Sequence, residues 1–332
     1  MSTVAVAAAA PAACASGDLI VEVNRVTLSF GGVTSLSDVT LSQRRGEILS
    51  VIGPNGAGKT SLFNCLTGVY KPQSGSIAFR AKDGRTTSVV GRKPHQVNRA
   101  GIARTFQTSR LFNALTAFEN VKVGVESRQH TGPIGAMLRL PRTRREERES
   151  DRRVIELLET VGLRDRANDI ASALPYGDRR RLEIARAIGT RPELLLLDEP
   201  AAGTNPSEKR GLAALIQSLN HDLGLSVLLI EHDMGLVMST AERIIVLNFG
   251  KVIAAGSPAE VQGHPAVIEA YLGARKEAKP RSRQGSAGGA PDVAPDADGR
   301  APGSAAGGTD GSAGGGADDR DTGGSTRDGG AG

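Results

Sequence analysis

The stretch Gly53-Pro54-Asn55-Gly56-Ala57-Gly58-Lys59-Thr60 constrains this chain more than any other. Its spacing, G-x-x-x-x-G-K-[ST], is that of a glycine-rich turn whose successive backbone N–H groups cradle a phosphate. The apolar run Ile48–Ile52 precedes it, and Ser61-Leu62-Phe63-Asn64 continues it as a helix. Gly53, Gly56 and Gly58 let the backbone adopt positive φ, so the amides and the positive end of the helix dipole face one anion. The residues from Gly53 to Ser61 are therefore expected to bind nucleotide. Lys59 would reach the β- and γ-phosphates, and the Thr60 hydroxyl would ligate Mg²⁺. A plain glycine turn before a helix is the alternative; the Lys-Thr pair in register argues against it.

A second motif reinforces the first. Leu194-Leu195-Leu196-Leu197-Asp198-Glu199-Pro200 reads as a buried parallel strand that delivers two carboxylates at its C-terminal end. In open α/β sheets that end is where ligands bind. Asp198 is expected in the Mg²⁺ shell, and Glu199 is expected to polarise the attacking water or accept its proton.

The 332 residues, 39% of them hydrophobic, suffice for one sizeable core or a core with a subdomain. Residues 1–17 are mostly Ala with Ser, Pro and Gly, and lack the charged start and Leu-rich core of a secretory signal. Residues 275–332 are Gly, Ala, Ser, Asp and Pro with almost no large apolar side chain. Both ends are expected to be disordered, which leaves a folded domain over 18–274. The tail contributes a charge of −1 to the formal +5 of the chain, so it is no basic nucleic-acid arm. No run is long and apolar enough for a transmembrane helix. Cys14 and Cys65 suggest neither a metal site nor a disulfide framework, and point to the cytosol.

Val21–Phe30 and Val33–Ser42 alternate apolar and polar residues and read as two antiparallel strands. Short strands follow at Ser76–Arg80 and Gly101–Phe106. From about Ala114 to Leu174 the pattern becomes helical, with a capping box at Thr116 and Glu119. Arg144–Val161 has a mixed-charge face, which reads as solvated helix surface rather than a nucleic-acid contact. Gln129–Arg142 interrupts the region as a loop or short extra helix. Helix and strand then alternate: helices at Asp178–Ile188, Ser207–Leu219 and Met234–Thr240, and strands at Leu194–Asp198, Val227–Glu231 and Arg243–Asn248. The expected fold is α/β: a P-loop NTPase core with a mostly parallel sheet between helices, an N-terminal antiparallel β subdomain, and an α-helical insert over about 108–176.

Three more motifs complete an ordered series: Arg104-Thr105-Phe106-Gln107, Leu174-Pro175-Tyr176-Gly177-Asp178 with Arg179–Ala187 after it, and Glu231-His232-Asp233-Met234. Over about Leu19 to Gly273 the chain resembles the nucleotide-binding subunit of an ATP-binding-cassette (ABC) transporter. The resemblance implies a head-to-tail dimer holding two ATP molecules, each between the phosphate loop of one subunit and the signature segment (Pro175, Tyr176, Gly177, Asp178) of the other. It implies that Phe30 stacks on adenine, although a strand-end core Phe is the alternative. It implies that Gln107 links Mg²⁺ and the attacking water to the helical insert, or else is a surface polar residue. It places His232 on the γ-phosphate, unless it is merely a partly buried side chain, and Asn205 in the loop that crosses the dimer interface.

Arg181–Ala187, Glu199–Gly203, Ile230–Met234, Gly256–Val261 and Ala270–Gly273 are similar to the ATPase of branched-chain amino-acid importers. The implied partners are membrane permease subunits, a second ABC ATPase subunit and, indirectly, an extracytoplasmic solute-binding protein. The implied place is the cytoplasmic face of the membrane. Importers of urea or amides and the ATPase of lipopolysaccharide export share much of the pattern. A regulatory cassette that hydrolyses weakly and a soluble ABC ATPase acting on ribosomes or DNA are the other readings.

One departure stands out. The family's signature has a hydroxyl residue where this chain has Pro175, and Gln where it has Asp178. Proline offers a γ-phosphate neither a hydroxyl nor an N–H, and losing one preorganised donor costs on the order of 3 kcal/mol. A site completed by this signature is expected to be slower than its sister site.

Overall fold

A computed structural model describes residues 19–105, 110–127 and 141–277. Expectations for residues 1–18, Gln107, the stretch 128–140 and residues 278–332 lie outside the described residues. Strand β1 (Leu19–Phe30) and strand β2 (Val33–Arg44) form an antiparallel hairpin that closes at Phe30 and Val33 around Gly31, whose φ is +56°. Strand β3 (Ile48–Ile52) is buried throughout and leads through the glycine loop into helix α1 (Lys59–Leu66). Strands β4 (Ser74–Arg80) and β5 (Thr86–Ser88) extend the hairpin to a four-stranded sheet in the order β2-β1-β4-β5.

Helix α2 (Pro94–Ala100) and strand β6 (Ile102–Arg104) precede the insert. Ile102 to Arg104 pair with the neighbouring strand and the Thr105 N–H continues to the Leu196 carbonyl, while Phe106 lies outside the described residues. The insert holds helix α3 (Ala117–Glu126), opened by the reciprocal Thr116/Glu119 cap, and helix α4 (Pro141–Thr160). Helix α5 (Tyr176–Gly189) starts two residues before its expected position, with Pro175 as its N-cap.

Strand β7 (Leu194–Asp198), helix α6 (Pro206–His221), strand β8 (Ser226–Ile230), helix α7 (Met234–Thr240) and strand β9 (Arg243–Asn248) then alternate as expected. Strand β10 (Lys251–Gly256), helix α8 (Pro258–Gln262) and helix α9 (Pro265–Glu277) were not read from the sequence. Helix α9 carries regular structure to Glu277, past the expected start of the tail at Arg275.

The larger sheet has the order β10-β9-β3-β8-β7-β6, parallel except for the β9–β10 edge. Successive side chains of a strand point to opposite faces. Leu194, Leu196, Leu228 and Ile230 accordingly join the core under the β1–β2 hairpin and α1, whereas Leu195, Leu197, Val227 and Leu229 join the core beneath the insert. Val121, Val154, Leu157, Leu158, Leu182 and Ile188 belong to that second core. The insert is thus welded to the sheet: the inner stripe of its helices is apolar and buried. Cys65 is buried on α1, and burial pushes its thiol up to about 11, which leaves it inert.

Helix α3 crosses α5 at Gly124, where a Cβ would lie 2.3 Å from the backbone oxygen of Arg186. Backbone cannot yield there as a flexible side chain can. Gly124→Ala is expected to lever α3 off α5 and to cost about 1–3 kcal/mol in a denaturation experiment; an unchanged midpoint would contradict this crossing.

Candidate functional site

The site assembles where three buried strands end level. Val51 of β3 pairs with Ile230 of β8, and Ile230 pairs with Asp198 of β7. The next residues along each strand are therefore neighbours: Ile52-Gly53, Glu231-His232 and Glu199. The sequence places a phosphate loop, an imidazole and a carboxylate on these three ends, and the register brings them together.

In the loop, Gly53, Gly56 and Gly58 have φ of +151°, +79° and +101°. At Gly53 a Cβ would lie 2.1 Å from the Leu247 carbonyl oxygen, and at Gly58 one would lie 2.6 Å from that of Ser35, so only glycine serves at either position. Asn55 and Gly56 are exposed at the tip, as is Thr60, while Ala57 and Gly58 are buried. The Lys59 ammonium folds back over the loop and donates to the carbonyls of Gly53 (2.7 Å) and Pro54 (2.9 Å). Burial holds its pKa below the ordinary lysine value, and Glu199 and then Asp198 oppose that shift. A charge held by its own loop and partly desolvated is ready to exchange carbonyls for phosphate oxygens. Ser61 is tied through its hydroxyl to that of Ser35 at 2.7 Å, which anchors α1 to the hairpin.

Asp198 is 4% exposed and pairs through Oδ2 with the Arg104 guanidinium at 2.7 Å. Arg104 also donates to Asn64 Oδ1 at 2.6 Å and lies over the Phe63 ring. This fork fixes one carboxylate oxygen and leaves Oδ1 for another partner. Among the described residues no group of three His, Cys, Asp or Glu forms a metal cage. A carboxylate of this kind fits a Mg²⁺ that arrives with a nucleotide's phosphates, since that ion takes one or two protein ligands and fills the rest from phosphate and water.

Glu199 follows in the left-handed conformation, φ +46°. Its N–H donates to the Ile230 carbonyl, and its Oε2 lies 3.9 Å from His232 Nδ1. The His232 side chain is 60% exposed. Phe30 is 47% exposed and meets Tyr70 edge-on with centroids 5.0 Å apart, which excludes a core role. Tyr70, which sequence reasoning passed over, completes an exposed aromatic corner near the loop's hairpin. Its signal was the Gly68-Val69-Tyr70 run where α1 stops.

Farther off, Pro175 caps α5 without a side-chain bond, and the first-turn amides of Tyr176, Gly177 and Asp178 follow it. Arg166 pairs with the Asp178 carboxylate at 3.2 Å, so the extra acid is partly neutralised rather than directed at will. The Tyr176 hydroxyl accepts from Arg180, itself paired with Glu183. Gly177 approaches Glu208 of α6. Asn205 is the N-cap of α6, accepting from the Ser207 and Glu208 amides. Tyr176 lies against Gly203, in the turn that follows Glu199. Sequence reasoning also missed Arg104 and Glu231 as site residues; both bind across long sequence separations.

Two family models match: ABC transporter over residues 36–202 and Branched-chain amino acid ATP-binding cassette transporter over 251–277. The chain is 46% identical over 254 residues to the high-affinity branched-chain amino acid transport ATP-binding protein LivG of Salmonella typhimurium, spanning 76% of this chain and 98% of that one. It is 45% identical to BraF of Pseudomonas aeruginosa, described in the same words, with the same coverage. Among solved structures it is similar to the ADP conformation of an ATP-binding cassette of an ABC transporter, with a TM-score of 0.66 and 28% identity over 77% of this chain and 99% of that one. A dimeric bacterial ABC transporter cassette matches with a TM-score of 0.60 and 25% identity over 72% and 98%.

The buried pair beside the site sets a stability test. Arg104→Met would strand the Asp198 charge and is expected to cost about 3 kcal/mol in chemical denaturation, with part recovered on adding Asp198→Asn. A single variant as stable as the wild type would contradict the pairing.

Proposed function

This chain belongs to the ATP-binding cassette family of ABC transporters, and from that premise we propose that it binds and hydrolyses MgATP to drive import of branched-chain amino acids. The observation that supports the chemistry best is the level ending of three strands, which sets Lys59, Asp198, Glu199 and His232 around one point. The match of residues 251–277 to the branched-chain cassette model supports the solute class.

In this reading the amides from Gly53 to Ser61 and the Lys59 ammonium hold the β- and γ-phosphates. Phe30 supplies the adenine-facing ring, with Tyr70 behind it. Thr60, Asp198 and Gln107 face the metal that accompanies the nucleotide; when bound, Mg²⁺ neutralises charge that develops on the phosphoryl oxygens. Glu199 orients the attacking water and accepts its proton, and His232 donates toward the γ-phosphate. Catalysis is mostly positioning and charge neutralisation.

A second copy or a related ATPase supplies the signature segment Pro175 to Asp178, as the head-to-tail dimer of the family implies. The reading places the chain at the cytoplasmic face as a peripheral subunit; among the described residues no helix is long and apolar enough to cross a membrane. Permease subunits then need a docking place. A cleft of about 510 Å³ between α1–α2 and the insert has Val69, Phe112 and Val123 exposed on its walls. Its walls combine these apolar side chains with charged ones such as Arg99, Glu183 and Arg186. An extracytoplasmic binding protein would act through the permease.

Three outcomes test this reading. Purified chain is expected to hydrolyse ATP, and Glu199→Gln to abolish turnover while ATP still binds; equal turnover in the two would sink the assignment and favour a regulatory cassette. In the reconstituted complex Pro175→Ser is expected to raise the ATPase rate; no rise would show that the missing hydroxyl does not limit the site. Phe112→Asp is expected to release co-expressed permease subunits from the chain in affinity co-purification, and full retention would move the docking surface elsewhere.

A further inference from the structure

Glu231 takes no part in the chemistry described so far, yet it is 1% exposed and directly precedes His232. Its carboxylate oxygens accept from backbone amides. Oε1 accepts from the Ala201 N–H at 2.7 Å. Oε2 accepts from the N–H groups of His232 at 3.0 Å and Asp233 at 3.3 Å. His232 Nδ1 is 3.8 Å from the same oxygen.

A buried carboxylate is a costly way to stabilise a fold, because desolvation penalises the charge. Burial does push this carboxyl above its ordinary pKa, against the pull of the three amides and His232. An apolar residue at the end of β8 would fill the space without that cost. What only an acceptor can do is hold two loops at once: the turn that follows Glu199 and the segment that carries His232.

The turn needs holding. Glu199 is a non-glycine residue at φ +46°, a conformation that persists only where its surroundings over-determine it. Three bonds do so. The Glu199 N–H reaches Ile230, the Ala202 N–H returns to the Glu199 carbonyl at 3.2 Å, and Ala201 is fixed by Glu231. Thr204 strengthens the turn from the other side, donating its hydroxyl to the Ala201 carbonyl at 2.8 Å. On the far loop, Asp233 pairs with Lys209 of α6 and accepts from the Leu236 amide at the start of α7.

We propose that Glu231 is a positioning residue: its carboxylate clamps the Glu199–Ala202 turn to the His232 segment, so that the carboxylate that activates water and the imidazole that faces the γ-phosphate move as one unit. This deepens the ATPase reading and rests on it.

Steady-state ATPase kinetics of the full chain test the clamp. Glu231→Gln keeps the shape but presents an NH₂ group to an amide N–H that it cannot accept. The rate constant is expected to fall on the order of tenfold or more, with KM for MgATP and the melting temperature little changed. In a His232→Ala background the same substitution is expected to cost less than about twofold further, because both act through one unit. An unchanged rate, fully additive losses, or a fall that tracks lost folding and lost MgATP affinity would each overturn the clamp. A wild-type chain without any ATPase activity would bring down the underlying reading instead; an active wild type with an unaffected Glu231→Gln would bring down the clamp alone.

Discussion

The level register of β3, β8 and β7 is the constraint on which everything else depends. Each of these strands is buried on both faces, and the pairing Val51–Ile230–Asp198 fixes where each one stops. A slip of one residue would turn every leucine of β7 to the wrong core and move Asp198 off the line. Because apolar side chains on both faces lock the register, the polar residues just past the strand ends inherit a precise mutual placement. The insert and the hairpin matter to the site chiefly by burying the two faces of this sheet.

Placed so, the charges balance in a particular way. Lys59 is partly desolvated and is attracted by Glu199 and Asp198, while Arg104 takes up one oxygen of Asp198. The site therefore holds two acids and two cations in a small, partly dry volume, where Coulomb terms are large. An incoming triphosphate would take Lys59 from its loop carbonyls, and a metal would compete for the free oxygen of Asp198. The signature segment shows the same economy. The acid at Asp178 is paired with Arg166, so the chain offsets a charge that the sequence alone would aim at the phosphate.

The hairpin, the apolar strands and the glycine loop were legible in the sequence because each carries a local signal: alternation, a run of apolar residues, or a spacing that only one turn geometry satisfies. The Thr116 cap and the alternation after Leu194 were legible for the same reason. Strand β10 was not, since its residues are half-exposed and carry no clean period. Helix α8 opens with the capping pair Ser257 and Glu260, but the run served only as a family mark, and five residues give no periodicity. Arg104 with Asp198, and Glu231 with Ala201, were illegible in principle: nothing local links residues 94 or 30 positions apart. Whether Phe30 belongs to the core turned on exposure, which the sequence does not carry.

The central claim is that the loop amides and the Lys59 ammonium grip a magnesium-bound triphosphate. Calorimetric titration of ATP into the full chain, with and without Mg²⁺, beside the Lys59→Ala variant, tests it most directly. The account predicts Mg²⁺-dependent binding by the wild type, weakened roughly tenfold or more in the variant, the worth of one charge-assisted bond to phosphate. Equal affinity in the two proteins, or no heat of binding in either, would contradict it.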